Sequence, residues 1–481
     1  MTGSPGTRLI VGPFNRVEGD LEVTLDLADG VVAEARVTAP LYRGFEQILL
    51  GRPPTDALVI APRICGICSV SQSVAAARAL RGLAGVVPPA NGRLAADLIV
   101  AAENAADHLT HFVLFFTPDL ARACYADRPW FETARRRFAA NSGEASRLLL
   151  PARTRFLHLM GLLAGKWPHS LALQPGGVTK AIDRGERMRL LAILAEFREA
   201  LETHLFADRL ERIAALASPA ELDAWADAAP LDRGDFRLFL AIARDLGFER
   251  LGRGPGLFAA SGSFDLFRPG IWSDGAHGEF DPAEVVEDVA SAWMNGSTAA
   301  PFSGVTLPAP DKVGAYTWCK APRLGGRVAE VGALARQVVD GHPLALALVG
   351  RSGGGAVLDR VVARLVELAR LIPAMEAWVG ALVPGEPFCV AANVGDGAAA
   401  GLVEAARGTL GHWLTVRDGR IGGYQIVAPT TWNFSPRDTA GQPGALEQAL
   451  IGTPVRPGDA APVAVQHVVR SFDPCMVCTV H

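Results

Sequence analysis

The chain has 481 residues, of which 49% are hydrophobic and 20% are charged, and its formal net charge is −4. A charge this close to neutrality gives no reason to expect a nucleic-acid partner. No uninterrupted apolar run reaches the about 18 residues that a membrane span needs, so we predict no direct span. The apolar surplus instead indicates a large core or a large partner interface.

Two segments near the ends of the chain have the pattern of β-hairpins. Residues 8–40 alternate apolar and polar side chains around Asp29-Gly30, and strand-like residues flank Asp418-Gly419 near the other end. Asp-Gly between two such segments is a strong hairpin signal, because both residues tolerate the left-handed backbone of a tight turn. We therefore predict one hairpin at each end of the chain.

The middle of the chain carries the periodicity of helices. Apolar residues recur there every three or four positions, which is the spacing of one helix face. The predicted helices are residues 71–83, 93–116, 182–210, 282–294, 328–339 and 356–383. Residues 261–306 are rich in glycine, proline and aromatic residues, which predicts a long irregular segment over the helical body.

These elements predict a mainly α fold of the α+β class. Its core would be a bundle of long helices, with small β-sheets or hairpins at the periphery. We expect one body over residues 1–481, and its predicted parts are an N-terminal hairpin at about 8–40, a helical core at about 71–383, and a C-terminal hairpin with a metal-site segment at about 401–481.

Four of the seven cysteines form two Cys-x-x-Cys pairs, Cys65 with Cys68 and Cys475 with Cys478. Two such pairs supply four thiolates, a ligand set for a soft metal. Spacing alone favours a structural zinc site, since most paired motifs of this kind are zinc knuckles. The pairs are separated by nearly the whole chain, however, whereas knuckles usually staple short segments. The cysteines alone therefore do not decide between a structural zinc ion and another soft metal.

The other cysteines, Cys124, Cys319 and Cys389, are isolated in the sequence. We expect each to be a small buried hydrophobe. Seven cysteines are too few and too clustered for a disulfide scaffold, which indicates a reducing compartment. Residues 1–6 are polar and rich in helix breakers, unlike a signal peptide. We therefore expect a cytoplasmic protein.

Short motifs surround the cysteine pairs in a fixed order from one end of the chain to the other. They are Arg16-Val17-Glu18-Gly19, Arg43-Gly44-Phe45-Glu46, Arg63-Ile64-Cys65-Gly66-Ile67-Cys68, Asp107-His108-Leu109-x-His111-Phe112, Lys320-Ala321-Pro322-Arg323, Arg407-Gly408-x-Leu410-Gly411-His412-Trp413, Pro429-Thr430-Thr431-Trp432-Asn433 and Asp473-Pro474-Cys475. Together they resemble the large subunit of nickel–iron hydrogenases over essentially the whole chain. The resemblance implies an enzyme that cleaves H2 heterolytically into two protons and two electrons.

The resemblance implies a nickel bound by all four paired cysteines. Cys65 and Cys475 would be terminal ligands, while Cys68 and Cys478 would bridge the nickel to an iron that carries one carbon monoxide and two cyanides. Soft thiolates suit both metals.

The resemblance also assigns roles to polar residues around the metals. Glu18 would relay the proton that leaves Cys475, as a carboxyl group with a raised pKa can do. Arg407, fixed by Asp107 and Asp473, would lie over the open metal face and aid the cleavage.

Two further contacts follow from the same resemblance. Pro429 and Thr430 correspond to residues that contact the cyanides of the iron. Glu46, the carbonyl of Ile426 and His481 correspond to ligands of a second, hard cation, usually magnesium, which prefers oxygen ligands and octahedral geometry.

Four departures from the common family pattern suggest the hydrogen-sensing, or regulatory, branch. Gln72 stands where ordinary members often have histidine, Ile67 where many have valine, and Phe115 where many have leucine. The sequence also ends at His481, where most precursors continue. The bulky Ile67 and Phe115 would narrow the gas path and slow O2 more than H2. We therefore expect a low-turnover, oxygen-tolerant H2 sensor that controls hydrogenase gene expression.

Other functions and the expected partners follow from the same comparison. The catalytic alternative is an energy-conserving uptake hydrogenase, and the non-enzyme alternatives are a structural zinc protein or a metal-free scaffold. The isolated cysteines cannot hold iron–sulfur centres, so electrons must leave through the family's iron–sulfur small subunit, in a heterodimer or a dimer of heterodimers. A sensor would also engage a sensor histidine kinase.

Overall fold

The helices build the interior of the protein. A computed structural model describes residues 7–456 and 458–479. The α-helices of these residues are α1 Phe45–Leu49, α2 Ala57–Ile60, α3 Ser69–Ala84, α4 Ala90–Thr110, α5 Phe131–Phe138, α6 Glu144–Phe156, α7 His158–Ala164, α8 Arg184–Ala200, α9 Leu210–Ala214, α10 Pro219–Asp227, α11 Asp235–Leu246, α12 Ala333–Asp340, α13 Pro343–Ser352, α14 Val357–Ala381, α15 Pro429–Asn433, α16 Ala445–Leu450 and α17 Val463–Ser471.

The strands form small antiparallel sheets. They are β1 Thr7–Val11, β2 Glu22–Ala28, β3 Val31–Thr38, β4 Leu173–Gln174, β5 Gly177–Val178, β6 Leu257–Ala260, β7 Gly270–Ser273, β8 Ala276–Gly278, β9 Val285–Asp288, β10 Met294–Asn295, β11 Leu307–Pro308, β12 Ala321–Leu324, β13 Gly397–Ala405, β14 Gly408–Arg417 and β15 Arg420–Val427. The three-stranded sheets have the orders β1-β2-β3, β6-β7-β8 and β13-β14-β15.

The central layer of the fold is the long helix α14. It packs against α4, α8, α9 and α12, and most of its side chains are buried. A helix buried on nearly all sides belongs to a core rather than to a surface. The second layer is α3, which lies against β13 and β14. The predicted fold class, a helical core with small sheets at its margin, is confirmed, while the division of residues 1–481 into the predicted parts stays a prediction.

Both predicted hairpins are present. Asp29 and Gly30 have φ values of 51° and 78°, and Asp418 and Gly419 have 51° and 66°. Each pair joins two strands through a two-residue turn with left-handed backbone, which matches the twist of the strands. The N-terminal hairpin gains a third strand, β1, which pairs with β2.

The predicted helices at residues 71–83, 93–116, 182–210 and 356–383 are present with small changes at their ends. One predicted helix is wrong, and the helix predicted at 328–339 is present but begins later than expected. Residues 282–294 contain β9, which pairs with β12, because the β-branched Val285 and Val286 join a strand partner that the local pattern does not reveal. Residues 328–332 precede α12, which begins only at Ala333 after Gly332.

The two ends of the described chain meet at one place. Glu18 and Cys475 form a parallel β-bridge, and the Met476 N–H donates to the Glu18 carbonyl at 2.7 Å. This contact brings the segment after β1 against the last segment of the chain. Among the described residues, none of the helices combines the length and apolarity of a transmembrane segment.

Candidate metal centre

The sulfur atoms of Cys65, Cys68, Cys475 and Cys478 lie within 4.8 Å of one another, and all four side chains are buried. The Sγ atoms of Cys65 and Cys475 are 3.4 Å apart, and those of Cys68 and Cys478 are 3.2 Å apart. None of the four forms a disulfide. The fold therefore gathers two predicted pairs from opposite ends of the chain into one cluster.

Short, sharply turned segments hold the sulfurs. Cys65 is extended after the 3-10 turn Ala61–Ile64, and Cys68 precedes the first turn of α3. A helix N-terminus carries partial positive charge, which favours a thiolate there. Cys475 precedes the 3-10 turn Met476–Cys478 and Cys478 is its last residue, and the Cys478 N–H donates to the Cys475 carbonyl.

The sulfurs influence one another's ionisation strongly. Hydrogen bonds from the other cysteines hold the pKa of Cys65 well below its usual value. Hydrogen bonds with neighbouring sulfurs, together with burial, raise the pKa values of Cys68 and Cys475 well above theirs. Four adjacent anions repel one another, so complete ionisation of this group requires a bound cation. The donor set therefore fits a soft metal.

Arg407 lies beside the cluster, between two carboxylates. Its Nη1 is 3.0 Å from Asp107 Oδ2, its Nη2 is 3.1 Å from Asp473 Oδ1, and its Nε donates to the Asp473 carbonyl at 3.0 Å. Burial works to lower the pKa of Arg407, but the charges of Asp107 and Asp473, and then of Cys475 and Cys68, outweigh it and raise the pKa. Arg407 is thus a fixed, fully charged donor group within electrostatic reach of the sulfurs.

The two carboxylates differ in their ionisation. Burial raises the pKa of Asp107 to about 6, although Arg407 opposes the shift. Burial also acts to raise the pKa of Asp473, but Arg407 and Arg364 outweigh it and lower the pKa to about 2. Arg364 Nη1 lies 3.0 Å from Asp473 Oδ2, so this carboxylate is shared by two guanidinium groups. The sequence reasoning found Arg407 and both aspartates but missed Arg364.

Glu18 is partly buried and lies within electrostatic reach of both Cys65 and Arg407. Burial first, and the negative charge of Cys65 second, raise the pKa of its carboxyl group, while Arg407 and Arg43 work against them. Its backbone carbonyl is bonded to the segment that carries Cys475. A carboxyl group with a raised pKa next to a cysteine sulfur can accept and release a proton more readily than an ordinary surface carboxylate.

Arg43 is a second residue that the sequence reasoning did not single out. Its Nη2 donates to the Ile64 carbonyl at 2.6 Å and also to the Val477 carbonyl. These residues directly precede Cys65 and Cys478, so one guanidinium ties together the two segments that carry the sulfurs. The only sequence signal was its place in the motif with Glu46.

Thr430 and Pro429 lie in the first turn of α15 and are buried. The Thr430 hydroxyl oxygen accepts the Cys475 N–H at 3.2 Å, which leaves its own O–H free to donate. Gln72 is also buried, and its Oε1 lies 2.7 Å from His412 Nε2. Its Nε2 has no hydrogen-bond partner among the described residues.

Ile67, between the two N-terminal cysteines, is partly buried, as is Phe115 in the π-helical stretch His111–Phe116 that follows α4. Arg16 Nη1 donates to the Phe115 carbonyl at 3.2 Å. Their place along a gas path stays a prediction.

The predicted second cation site is only partly within the described residues. Glu46 is buried and its Oε1 accepts the Ile426 N–H at 2.8 Å, while its Oε2 is 3.2 Å from Lys320 Nζ. Glu287 lies 3.4 Å from the same ammonium, and its Oε1 is buried without a hydrogen-bond partner in the described chain. This oxygen-rich donor set fits a hard cation. His481 lies outside the described residues.

The isolated cysteines differ from expectation in part. Cys319 is buried as predicted, but Cys124 is exposed and Cys389 is partly buried. Within the described residues, the paired cysteines are the one group of three or more His, Cys, Asp or Glu side chains close enough to share an ion.

Known proteins resemble this chain in both sequence and structure. The sequence profile of the nickel-dependent hydrogenases matches residues 43–121 and 148–481. The periplasmic [NiFeSe] hydrogenase large subunit of Desulfomicrobium baculatum is 32% identical over 98% of this chain and 95% of its own length. The uptake hydrogenase large subunit of Rubrivivax gelatinosus is 28% identical over 99% of this chain and 95% of its own length.

A solved structure, the reduced Ni-Fe-Se hydrogenase of D. vulgaris Hildenborough, superposes with a TM-score of 0.85. It is 30% identical in sequence and covers 99% of this chain and 100% of its own. The four buried cysteine sulfurs, together with this likeness in sequence and fold, place the chain in the class of metal-dependent oxidoreductases. The chain belongs to the nickel-dependent hydrogenase family, as the large subunit of a nickel–iron hydrogenase.

Three expectations are settled by this membership. The chain is a hydrogenase with a nickel–iron site, which sets aside the zinc and scaffold alternatives. The expected cytoplasmic location is wrong, because the relatives include a periplasmic enzyme and uptake hydrogenases. The small number of cysteines did not indicate the compartment, since the paired cysteines form a metal-ligand cluster.

Proposed function

We propose that this chain is the catalytic large subunit of an energy-conserving uptake hydrogenase, which oxidises H2 and passes the electrons to a partner subunit. The observation that carries the proposal is the buried four-sulfur cluster, with Arg407 and Glu18 both within electrostatic reach of its sulfurs. The uptake and periplasmic names of its relatives support this role over a regulatory one.

The four cysteines would hold the metals. Cys65 and Cys475 would bind nickel alone, and Cys68 and Cys478 would also bind an iron with one carbon monoxide and two cyanides. When bound, this centre supplies a site that polarises H2 and accepts its electrons. Thr430 supports the diatomic ligands, because its hydroxyl proton is free to bond an anionic cyanide.

The protein's own residues would handle the charge and the protons. Arg407, held by Asp107 and Asp473, presents a fixed positive charge that stabilises developing negative charge at the cluster. The Cys475 sulfur accepts the proton first, and the Glu18 carboxyl group receives it next. The backbone contact between Glu18 and the Cys475 segment supports this order, because it keeps the two groups adjacent.

A magnesium ion would be held by Glu46, the carbonyl of Ile426 and His481. The Glu287 oxygen that has no hydrogen-bond partner among the described residues supports a cation at this place. The ion would fix the end of the chain next to the cysteines.

An iron–sulfur small subunit would carry the electrons away, in a heterodimer or a dimer of heterodimers. The scattered positions of Cys124, Cys319 and Cys389 support this partner, because an electron path requires clusters that they cannot form.

Gln72, Ile67 and Phe115 favour a second candidate, an H2 sensor that works with a sensor histidine kinase. The Gln72 side chain forms a hydrogen bond with His412 inside the core, so it is part of the packed interior and not a surface variation. A sensor would turn over slowly and tolerate air.

The test uses the purified complex of this chain with its small subunit. We expect nickel and iron in equal amounts, one infrared band from carbon monoxide and two from cyanide, and rapid H2-dependent reduction of a dye or quinone. Zinc in place of nickel would contradict the proposed metal site. Slow turnover with transfer of the H2 signal to a histidine kinase would favour the sensor.

A further inference from the structure

The turn that contains Arg407 lacks the left-handed backbone conformation that is usual in a tight hairpin. Strands β13 and β14 pair up to Ala405 and Gly408, so Ala406 and Arg407 alone form the turn. Neither has positive φ, whereas two-residue hairpin turns favour left-handed residues there. Alanine adds no side-chain contact that could stiffen the turn. Another part of the protein must hold this tip in place.

Arg336, in the first turn of α12, supplies that hold. Its side chain is completely buried. Nη1 donates to the Ala405 carbonyl at 2.8 Å, and Nη2 donates to the Ala406 carbonyl at 2.9 Å. These carbonyls belong to the two residues before Arg407, so the guanidinium binds the backbone at the start of the turn.

Arg336 is itself anchored by two buried carboxylates. Its Nε and Nη2 donate to the two oxygens of Glu367 at 2.9 and 2.8 Å, and Nη1 donates to Glu404 at 2.8 Å. His108 Nε2 lies 2.9 Å from the same Glu367. A planar guanidinium with donors in a rigid fork can satisfy these partners together, which a single ammonium cannot.

The start of α12 also packs directly on the turn. A Cβ atom on Gly332 would lie 3.2 Å from the Arg407 carbonyl oxygen, and one on Gly408 would lie 2.6 Å from the Gly332 nitrogen. Backbone therefore meets backbone here with no room for a side chain. Any shift of α12 would therefore move the backbone of Arg407.

We propose that Arg336 is a positioning residue for H2 cleavage: it clamps the Ala405-Ala406 carbonyls so that Arg407 is aimed at the four-sulfur cluster. The inference rests on the proposed role of Arg407. Arg336 acts through the backbone of the turn, at a distance from the metals, and so affects the chemical step rather than substrate entry.

The test compares Arg336→Lys with a matched control, Arg323→Lys, in the purified complex. Lysine at 336 keeps the charge near Glu367 and Glu404 but cannot hold both carbonyls. Arg323 is equally buried and binds Asp438 and two carbonyls of the segment after α15, so its variant loses the same kind of contacts elsewhere.

We expect Arg336→Lys to lower kcat for H2 oxidation at least ten-fold with the KM for H2 unchanged. Amide hydrogen exchange of the 400–410 peptide should accelerate in this variant. Arg323→Lys should change neither. Equal kcat losses in both variants, or unchanged exchange at the turn, would overturn the proposal.

A double-mutant comparison separates this inference from the proposed role of Arg407. If Arg336 acts through Arg407, adding Arg336→Lys to Arg407→Lys costs little further activity. Full activity of Arg407→Lys would refute the role of Arg407 itself, and the inference with it. If Arg407→Lys keeps a measurable residual activity and Arg336→Lys lowers that activity by the same factor as in the parent, the inference alone would be overturned.

Should Arg336→Lys not yield folded protein, Glu367→Gln replaces it. The amide keeps the shape of the anchor and weakens its grip on Arg336. We expect a smaller loss of kcat in the same direction, again not additive with Arg407→Lys. An additive loss would overturn the proposal.

Discussion

Replacement of Asp473 by asparagine tests how Arg407 is held. Asp473 has φ of 57°, and asparagine tolerates this left-handed backbone as aspartate does. The change therefore keeps the shape of the chain next to Cys475. It removes the negative charge of the carboxylate, whose oxygens lie 3.1 Å from Arg407 Nη2 and 3.0 Å from Arg364 Nη1.

The expected size of the effect follows from these contacts. A hydrogen bond to a charged group contributes about 1.5–3 kcal/mol, and about 1.4 kcal/mol corresponds to a ten-fold change in rate. If the lost contact weakens the placement of Arg407, kcat should fall roughly 10- to 100-fold. Arg407 keeps its ion pair with Asp107 and its hydrogen bond to the carbonyl of residue 473, so activity should not vanish. Breaking a buried ion pair should also cost about 3–5 kcal/mol of stability.

The assay is H2-dependent dye reduction under anaerobic conditions, with thermal unfolding measured on the same samples. Asp438→Asn is the matched control, because Asp438 is buried and lies 2.7 Å from Arg323. We expect the control to lose stability and to keep its kcat. Parental activity in Asp473→Asn, or equal activity losses in the two variants, would refute the reasoning.

Three further predictions concern protons, oxygen and metal retention. Glu18→Gln should keep nickel but lose at least nine-tenths of hydrogen–deuterium exchange, because an amide cannot relay a proton. If the chain is instead the air-tolerant sensor, the parent should keep its activity in air, while Ile67→Val combined with Phe115→Leu should keep activity only without air, since smaller side chains leave a passage. Arg43→Gln should lose nickel faster during dialysis against a chelator, because the two cysteine segments are no longer tied together.

Each of these has an outcome that would contradict it. Unchanged isotope exchange in Glu18→Gln would move the relay to another group. Equal survival of both proteins in air, or rapid inactivation of the parent, would remove Ile67 and Phe115 from the explanation. Arg52→Gln is the control for Arg43→Gln, since Arg52 bonds the carbonyl of its own helical segment. Equal nickel loss in these two variants would show that the effect is not specific.

The cysteine cluster could be predicted from the sequence because cysteine pairs at this spacing are themselves a sign of metal binding. The role of a cysteine pair, or of an Arg or Asp inside a recognisable motif, can be inferred without knowledge of the fold. The clamps around the cluster could not be predicted in this way. Arg336 and Arg364 occupy ordinary helical positions, and their partners at Ala405, Ala406 and Asp473 are far away in the chain.

The fold shows the same division between local and distant information. The Asp29-Gly30 turn is a local signal, and its hairpin was predicted correctly. Strand β9 depends on β12, which lies more than 30 residues further along the chain, so a local helical pattern was misleading there. Localisation was misjudged because neither residues 1–6 nor the cysteine count describes a partner that could carry the chain across a membrane.

Nickel K-edge X-ray absorption of the purified complex, compared with its Cys475→Ser variant, tests the central claim most directly. The account predicts nickel surrounded by sulfur from the four clustered cysteines in the parent, and loss of one sulfur ligand together with H2 turnover in the variant. Nickel bound mainly by nitrogen or oxygen, or a variant with the parental spectrum and activity, would contradict it.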